Sequence, residues 1–477
     1  MNIFEEFKVF KYFGEVSKIP RASGAEKELS DYIADWARGL GLDVLQDSKC
    51  NLIIKKPATP GYGDCDALIV QAHLDMVCEK TSGSTHDFSK DPLCLEINGD
   101  WLSARETTLG ADNGIGVAIA MALLDDEEIS HPALEVVLTA CEETDFSGAA
   151  CVEMDALSAT RMINLDHACE TELIIGSCGG LGVEFALPIS RETEMPEGFK
   201  PYKLCISGLK GGHSGEDIHR GRAHAIALLF RIVEKSGLPL ISIDGGTSRL
   251  AIPRDAAAVV LSDDEDCLKA LVEQEQEALR KEYANESSLA LSAQLESENS
   301  YAGCPIDDDS MQKLRDVMEA YPNGIVSMFE DLPGVVESSD NIGIIETGCQ
   351  SIRLVSEIRG GYSSSIASIL DSIISASERT GAVVNTFAAY EPWSANPGSE
   401  LQELAMRTYE SVNGTAMTPI AVHAGLECGF FASAKHGIDI VSLGPNCENY
   451  HSPQERLSVS STIREYNFIV ELLSNMK

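Results

Sequence analysis

Ala67-Leu-Ile-Val-Gln-Ala-His-Leu-Asp75 is the stretch on which the fold turns. Its first four residues are apolar, three of them branched, and beyond Gln71 and Ala72 come a histidine and an aspartate, two positions apart. So short an apolar run predicts a strand over 67–71 that is buried on both faces. Residues 134–140 and 161–165 are runs of the same kind, and 114–124 between them reads as a helix of small apolar residues. Further back, Leu29, Ile33, Trp36 and Leu40 recur at helical spacing. Strands and helices in alternation predict an α/β domain built on a largely buried sheet.

The middle of the chain has a different texture. Residues 202–207 read as a strand, the Gly208-Leu-Lys-Gly-Gly run as a flexible turn, 218–235 as a helix and 256–261 as a strand. A second pass follows, with strand 351–358, helix 365–380 and strand 382–389. Two strand–helix–strand units predict a separate α+β domain with an internal repeat. The charged stretch 263–298 reads as a solvated helix. Residues 392–398 are turn-rich and mark a boundary, after which a strand at 438–443 and a helix at 460–476 resume the first pattern. The expected domains are therefore 1–185 plus 390–477, a discontinuous catalytic domain, and 186–389, inserted into it.

A chain of 477 residues exceeds the size at which single cores stop growing, in keeping with two domains. Its 36 basic and 75 acidic residues give a net charge of −39, which repels phosphate backbones and anionic membrane surfaces. Nucleic-acid and membrane partners are thus not expected. The N-terminal segment MNIFEEFKVFKYF lacks the basic start and apolar run of a signal peptide, and no stretch is apolar for long enough to span a bilayer. The 14 cysteines are scattered with no Cys-x-x-Cys pair, which suits reduced thiols in a cytoplasmic protein.

Histidine and carboxylate clusters stand at the ends of the expected strands, where α/β sheets carry their sites. In His73-Leu-Asp75 the two polar residues point the same way on an extended chain, so Asp75 can fix the tautomer of His73. Asp112-Asn-Gly precedes the small-residue helix, where it can serve as a cap or as a carboxylate bridging two metals. Glu142 and Glu143 close a strand as adjacent acids, which repel each other unless a cation separates them. Asp166-His167 closes another strand, and His451 stands in a loop beyond the last. Taken singly, each also reads as an ordinary surface pair, cap or solvated loop.

Together they resemble the M20 family of co-catalytic zinc peptidases, and within it the aminoacyl-histidine dipeptidases. The resemblance runs through His-Leu-Asp at 73–75, Gly-Ala-Asp-Asn-Gly at 110–114, Glu-Glu-Thr at 142–144, Asn-Leu-Asp at 164–166 and His-Ser-Pro at 451–453. Ser-Gly-Leu-Lys-Gly-Gly-His-Ser-Gly at 207–215, Ala-Ile-Pro-Arg-Asp at 251–255 and His-Ala-Gly-Leu-Glu-Cys-Gly at 423–429 extend it over nearly the whole chain.

The resemblance implies a zinc-peptidase-like α/β catalytic domain with an inserted lid. It implies two divalent ions, one bound by His73, Asp112 and Asp166 and the other by Asp112, Glu143 and His451. Zinc suits these ligands, with manganese or cobalt as substitutes. Asp75 would orient His73, and Glu142 would be the general base for a water held between the ions. A cis peptide is expected after Asp112. In the lid, His213 would donate to the oxyanion and Arg359 would bind the substrate's terminal carboxylate. Gly425 and Glu427 would form a substrate-side loop. Relatives usually carry Asn where Leu250 stands, and leucine cannot make that residue's hydrogen bond.

The expected activity is that of a cytoplasmic dipeptidase of Xaa-His type, working on small peptides, and a homodimer through the lid is expected. The alternatives are an M20 tripeptidase or an N-acyl amino acid amidohydrolase. A metal-dependent binding protein is a reading of another class, opposed by the presence of Glu142 beside all five ligand types. A structural calcium protein is opposed by the two histidines.

Overall fold

The computed structural model describes residues 3–296, 303–330 and 332–477. It divides into two compact units. The first comprises Met1–Ser177, Trp393–Ala421 and Leu426–Lys477, and the second Cys178–Pro392 with the short segment Val422–Gly425. Among the described residues no helix is long and apolar enough to cross a membrane.

The first unit is an α/β layer structure around an eight-stranded mixed sheet, counted over the described residues. Its central strands Leu134–Thr139, Leu68–His73 and Arg161–Asn164 lie side by side and parallel, and Asp439–Ser442 extends the parallel set. All six residues of Leu68–His73 and of Leu134–Thr139 are buried. A strand with neighbours on both sides and layers over both faces needs no polar alternation, which is why these segments read as apolar runs interrupted internally only by Gln71 and Glu135. The helix Ala111–Asp125 is buried on nearly every side from Ile115 to Leu124. Its Gly and Ala residues let it pack closely against the strand Leu68–His73 and the helix Lys8–Val16. The helices Glu400–Asn413 and Val459–Ser474 complete this core, with Tyr409 edge-on to Phe468.

The second unit is α+β, built on a nine-stranded sheet whose neighbouring strands pair antiparallel where their registers are defined. Leu204, Leu229, Val260, Leu354 and Ile373 lie in its separate core. Two sequence expectations are corrected here. The helix expected over 218–235 is a single turn, Ile218–Arg220, followed by Ala225–Ser236, because Gly221 adopts φ +61° and ends the first turn. The helix expected over 263–298 spans only Glu265–Glu282. Ala290–Leu295 instead forms an edge strand paired with Lys200–Ser207, and positions 297–298 lie outside the described residues.

Candidate metal centre

The parallel strands end together, and their ends carry the acidic and histidine residues. His73 is the last residue of its strand, opposite Thr139 in the neighbouring one. Beyond Thr139 the chain turns through Cys141, held left-handed at φ +56°, into the short helix Glu142–Asp145. Asp166 lies two residues past the strand Arg161–Asn164. Asp112 comes from the start of the helix Ala111–Asp125, where the backbone is not yet helical and the Asp112–Asn113 peptide is cis. His451 is also left-handed, at φ +60°. Left-handed backbone at residues other than glycine persists only where the surroundings over-determine it, and it clusters at functional sites.

These residues converge on Asp112. One carboxylate oxygen, Oδ1, lies 3.1 Å from His73 Nε2, and the other, Oδ2, lies 3.2 Å from His451 Nε2. Asp166 Oδ1 is 3.5 Å from His73 Nε2, and Glu143 Oε1 is 3.1 Å from His451 Nε2. The donor atoms of His73, Asp112 and Asp166 lie within 4.8 Å of one another, as do those of Asp112, Glu143 and His451. Two triads thus share one aspartate. Glu142 also comes within range of His73 and Glu143, but its nearest imidazole contact is the longer 3.9 Å to His73 Nε2. Imidazole nitrogens and carboxylates in sets of three fit borderline divalent cations with an open position.

Packing acids and imidazoles this closely perturbs all of them. Burial opposes charge on His73, yet Asp166 and Glu142 raise its pKa well above the usual imidazole range. On His451 burial is again outweighed, by Asp112 and Glu143, and the pKa rises to about 11. Burial and the charge on Asp112 push Glu143 up to about 7. Burial, with Glu143 and Asp166, pushes Glu142 well above the carboxylate range. Asp112 goes the other way: burial would raise it, but the two histidines hold it far below that range. The shifts share one cause, a concentration of buried carboxylates that favours positive charge between them, which divalent cations would supply while displacing protons.

Several side chains brace this centre, and the sequence alone marks only one of them. Asp75, fully buried, lies 3.3 Å from His73 Nδ1. It also accepts the backbone N–H groups of Glu142 and Glu143, each at 3.1 Å, and the Ser23 hydroxyl at 2.7 Å. One carboxylate thus ties the first histidine to the adjacent glutamates. Glu455, which sequence reasoning passes over, accepts N–H groups from Leu109, Gly110, Ala111 and Asp112 at 2.7–3.3 Å. The available signal is its place four residues after His451 in His-Ser-Pro-Gln-Glu. Arg21, also passed over, is buried and donates to the carbonyls of Leu74, Asp75 and Gly110. Gly110 adopts φ +64°, and a β-carbon there would lie 2.5 Å from the Arg21 guanidinium, so only glycine fits.

Glu427, expected on a substrate-side loop, immediately precedes the helix Cys428–Ala434. It is fully buried, accepting from Gln71 and from the Thr139 hydroxyl, and burial pushes its pKa up to about 8. Gln71 and Thr139 belong to the strands whose ends lead into the two triads, so Glu427 sits within the sheet's polar support. Gly425 belongs to the short segment grouped with the second unit.

The expected lid residues gather within the second unit. His213 lies on a two-residue strand opposite Ala251, and its Nδ1 accepts from the backbone N–H groups of Gly215 and Glu216. Its Nε2 is 3.4 Å from the Arg359 guanidinium. Arg359 is buried and donates to the Tyr390 hydroxyl at 2.7 Å and to Ser214 Oγ. Leu250 accepts the Ser214 N–H through its carbonyl, a contact independent of its side chain.

Residues 69–475 match peptidase family M20/M25/M40. The chain is 38% identical over 474 residues to the cytosol non-specific dipeptidase of Escherichia coli (strain K12), a match covering 97% of this chain and 96% of that one. The crystal structure of the aminoacylhistidine dipeptidase from Vibrio alginolyticus superposes with a TM-score of 0.86 at 34% identity, over 98% of this chain and 96% of that one. Aminopeptidase PepT from Bacillus cereus shares the fold, with a TM-score of 0.62 at 16% identity over 98% of each chain. The family match takes in all five residues of the paired triads, and so extensive a kinship is decisive: the chain belongs to peptidase family M20/M25/M40 and is a hydrolase of peptide bonds.

Proposed function

We propose that the protein is a dipeptidase acting with two divalent cations, one held by His73, Asp112 and Asp166 and the other by Asp112, Glu143 and His451. The observation that carries this reading is the geometry of Asp112, each of whose carboxylate oxygens faces a different histidine. Zinc suits the donor set, and manganese or cobalt can substitute. When bound, the ions supply Lewis acidity toward the scissile carbonyl and lower the pKa of the attacking water.

The chain's own residues do the rest. Glu142 borders both triads without a close imidazole partner, so its carboxylate is available to take the water's proton and pass it to the leaving amine. Asp75 holds His73 with Nε2 turned to the cluster and fixes the backbone that presents Glu142 and Glu143. His213 is the oxyanion donor. Arg359, held by Tyr390 and Ser214, offers a planar fork to the substrate's terminal carboxylate. Gly425 contributes backbone to the substrate side.

The two relatives that share a third or more of their residues with this chain are a non-specific dipeptidase and an aminoacylhistidine dipeptidase, which favours dipeptides over longer peptides or acylated amino acids. The cytosolic relative and the free state of all 14 cysteines favour the cytoplasm. The strand Val383–Tyr390 at one edge of the nine-stranded sheet is largely exposed and carries Val383 and Phe387, which favours a homodimer through this unit.

A panel of dipeptides, Xaa-His among them, tripeptides and N-acyl amino acids tests the assignment. Dipeptides are expected to be cleaved fastest, activity to vanish on chelation, and zinc or manganese to restore it. Cleavage of tripeptides or N-acyl amino acids with no dipeptide turned over would overturn it.

A further inference from the structure

A second set of metal-ligating groups lies outside both triads. His167, Cys169 and Glu172 each offer one donor atom, and the three atoms lie within 4.8 Å of one another. His167 Nε2 is 3.2 Å from Glu172 Oε2. Tetrahedral zinc, with bonds of about 2.0–2.3 Å, needs N···O edges of about 3.3 Å and edges to sulfur of about 3.6 Å. The imidazole and carboxylate already stand at that separation, and the sulfur is at most about 1 Å too far, within the reach of a small side-chain adjustment. An ion pair accounts for His167 and Glu172, and Cys169 Sγ has a contact of its own, 3.4 Å from Thr171 Oγ1, which metal binding would exchange for a sulfur–metal bond.

The loop that carries them is fixed by other contacts. Cys447 N–H donates to the Ala168 carbonyl, and Glu170 N–H donates to Asn446 Oδ1. The Glu170 carboxylate is clamped by Arg464, and Thr418 N–H donates to the Thr171 carbonyl. Glu172 N–H closes the turn on the Cys169 carbonyl. With its backbone held this way, little ordering is left to oppose binding. All three donors are half-buried, so solvent can deliver an ion and fill its fourth position.

We propose that His167, Cys169 and Glu172 form a third metal site, open to one solvent ligand and selective for thiophilic divalent cations such as zinc and cadmium. Magnesium and calcium, which take oxygen ligands, are excluded by the imidazole and the thiol. Neutral His167 supplies Nε2 and Glu172 a carboxylate oxygen. Cys169 loses its S–H proton to solvent as the sulfur–metal bond forms, one proton per ion. None of the three residues belongs to the Asp112 triads, so this site goes beyond the dipeptidase reading and does not depend on it.

Cadmium titration of the reduced full-length protein tests the proposal, followed by thiolate-to-cadmium charge-transfer absorption and by bound metal per chain. The expected result is a tight component of one thiolate that is missing in Cys169→Ser and retained in Cys151→Ser, which alters an exposed thiol elsewhere. His167→Ala and Glu172→Gln keep the thiol but should weaken that component by at least about tenfold, since outer partners of a metal ligand alone are worth 10–100-fold. The proposal is overturned if Cys169→Ser titrates like the natural protein, or if neither His167→Ala nor Glu172→Gln weakens binding. Loss of metal from the Asp112 triads would leave the charge-transfer band in place, so the two readings fail separately.

Discussion

Glu142→Gln should lower kcat by about 10²–10⁴-fold while leaving bound metal unchanged. Glutamine has almost the same shape but cannot accept a proton at neutral pH. Glu142 stands 3.9 Å from the nearest imidazole nitrogen, whereas Glu143 stands 3.1 Å from His451 Nε2, so the first glutamate can be neutralised without dismantling either triad. Glu143→Gln should behave differently, losing metal as well as turnover. Steady-state kinetics paired with elemental analysis of both variants makes the distinction. Loss of metal in Glu142→Gln, or a rate within a few fold of the natural enzyme, would show that the two glutamates have been assigned the wrong roles.

Glu455→Gln should cost both stability and metal affinity, although Glu455 touches no ion in the assignment above. Its two carboxylate oxygens accept four backbone N–H groups in the turn that ends at Asp112. An amide replaces one acceptor oxygen with a donor, leaving two buried N–H groups facing another N–H. Each unsatisfied buried donor costs about 1–3 kcal/mol, so the variant should be destabilised by about 2–6 kcal/mol. The turn positions the aspartate shared by both triads, and metal affinity should fall by about 10–100-fold, as for other groups that orient a ligand. Thermal unfolding and chelator competition measure the two effects. Natural values for both would mean that the turn holds its shape without the carboxylate.

How far a segment can be read from sequence depends on whether its structure is set locally. Leu68–His73 and Leu134–Thr139 announce themselves, because burial on both faces leaves a largely apolar run. Val336–Thr347 does not: its first half, Val-Glu-Ser-Ser-Asp-Asn, is polar yet buried, and only its partners on either side make it a strand. The break at Gly221 separates two stretches whose composition alone favours a continuous helix. Site residues divide in the same way. His73, Asp112, Glu143, Asp166 and His451 stand out as polar residues beside strand ends or glycine turns. Glu455 does not, because its partners lie more than 340 residues away in the chain and are backbone amides that no side-chain pattern encodes. The burial of Glu427 is hidden from the sequence for a related reason: it comes from contacts with Gln71 and Thr139, 356 and 288 residues distant.

On the proposed reading the reaction requires two cations, one on either side of the Asp112 carboxylate. Anomalous diffraction at the zinc edge from zinc-loaded crystals tests this most directly. The account predicts two peaks flanking Asp112, one in contact with His73 and Asp166 and the other with Glu143 and His451. A single peak, or none beside Asp112 with the enzyme fully active, would contradict it.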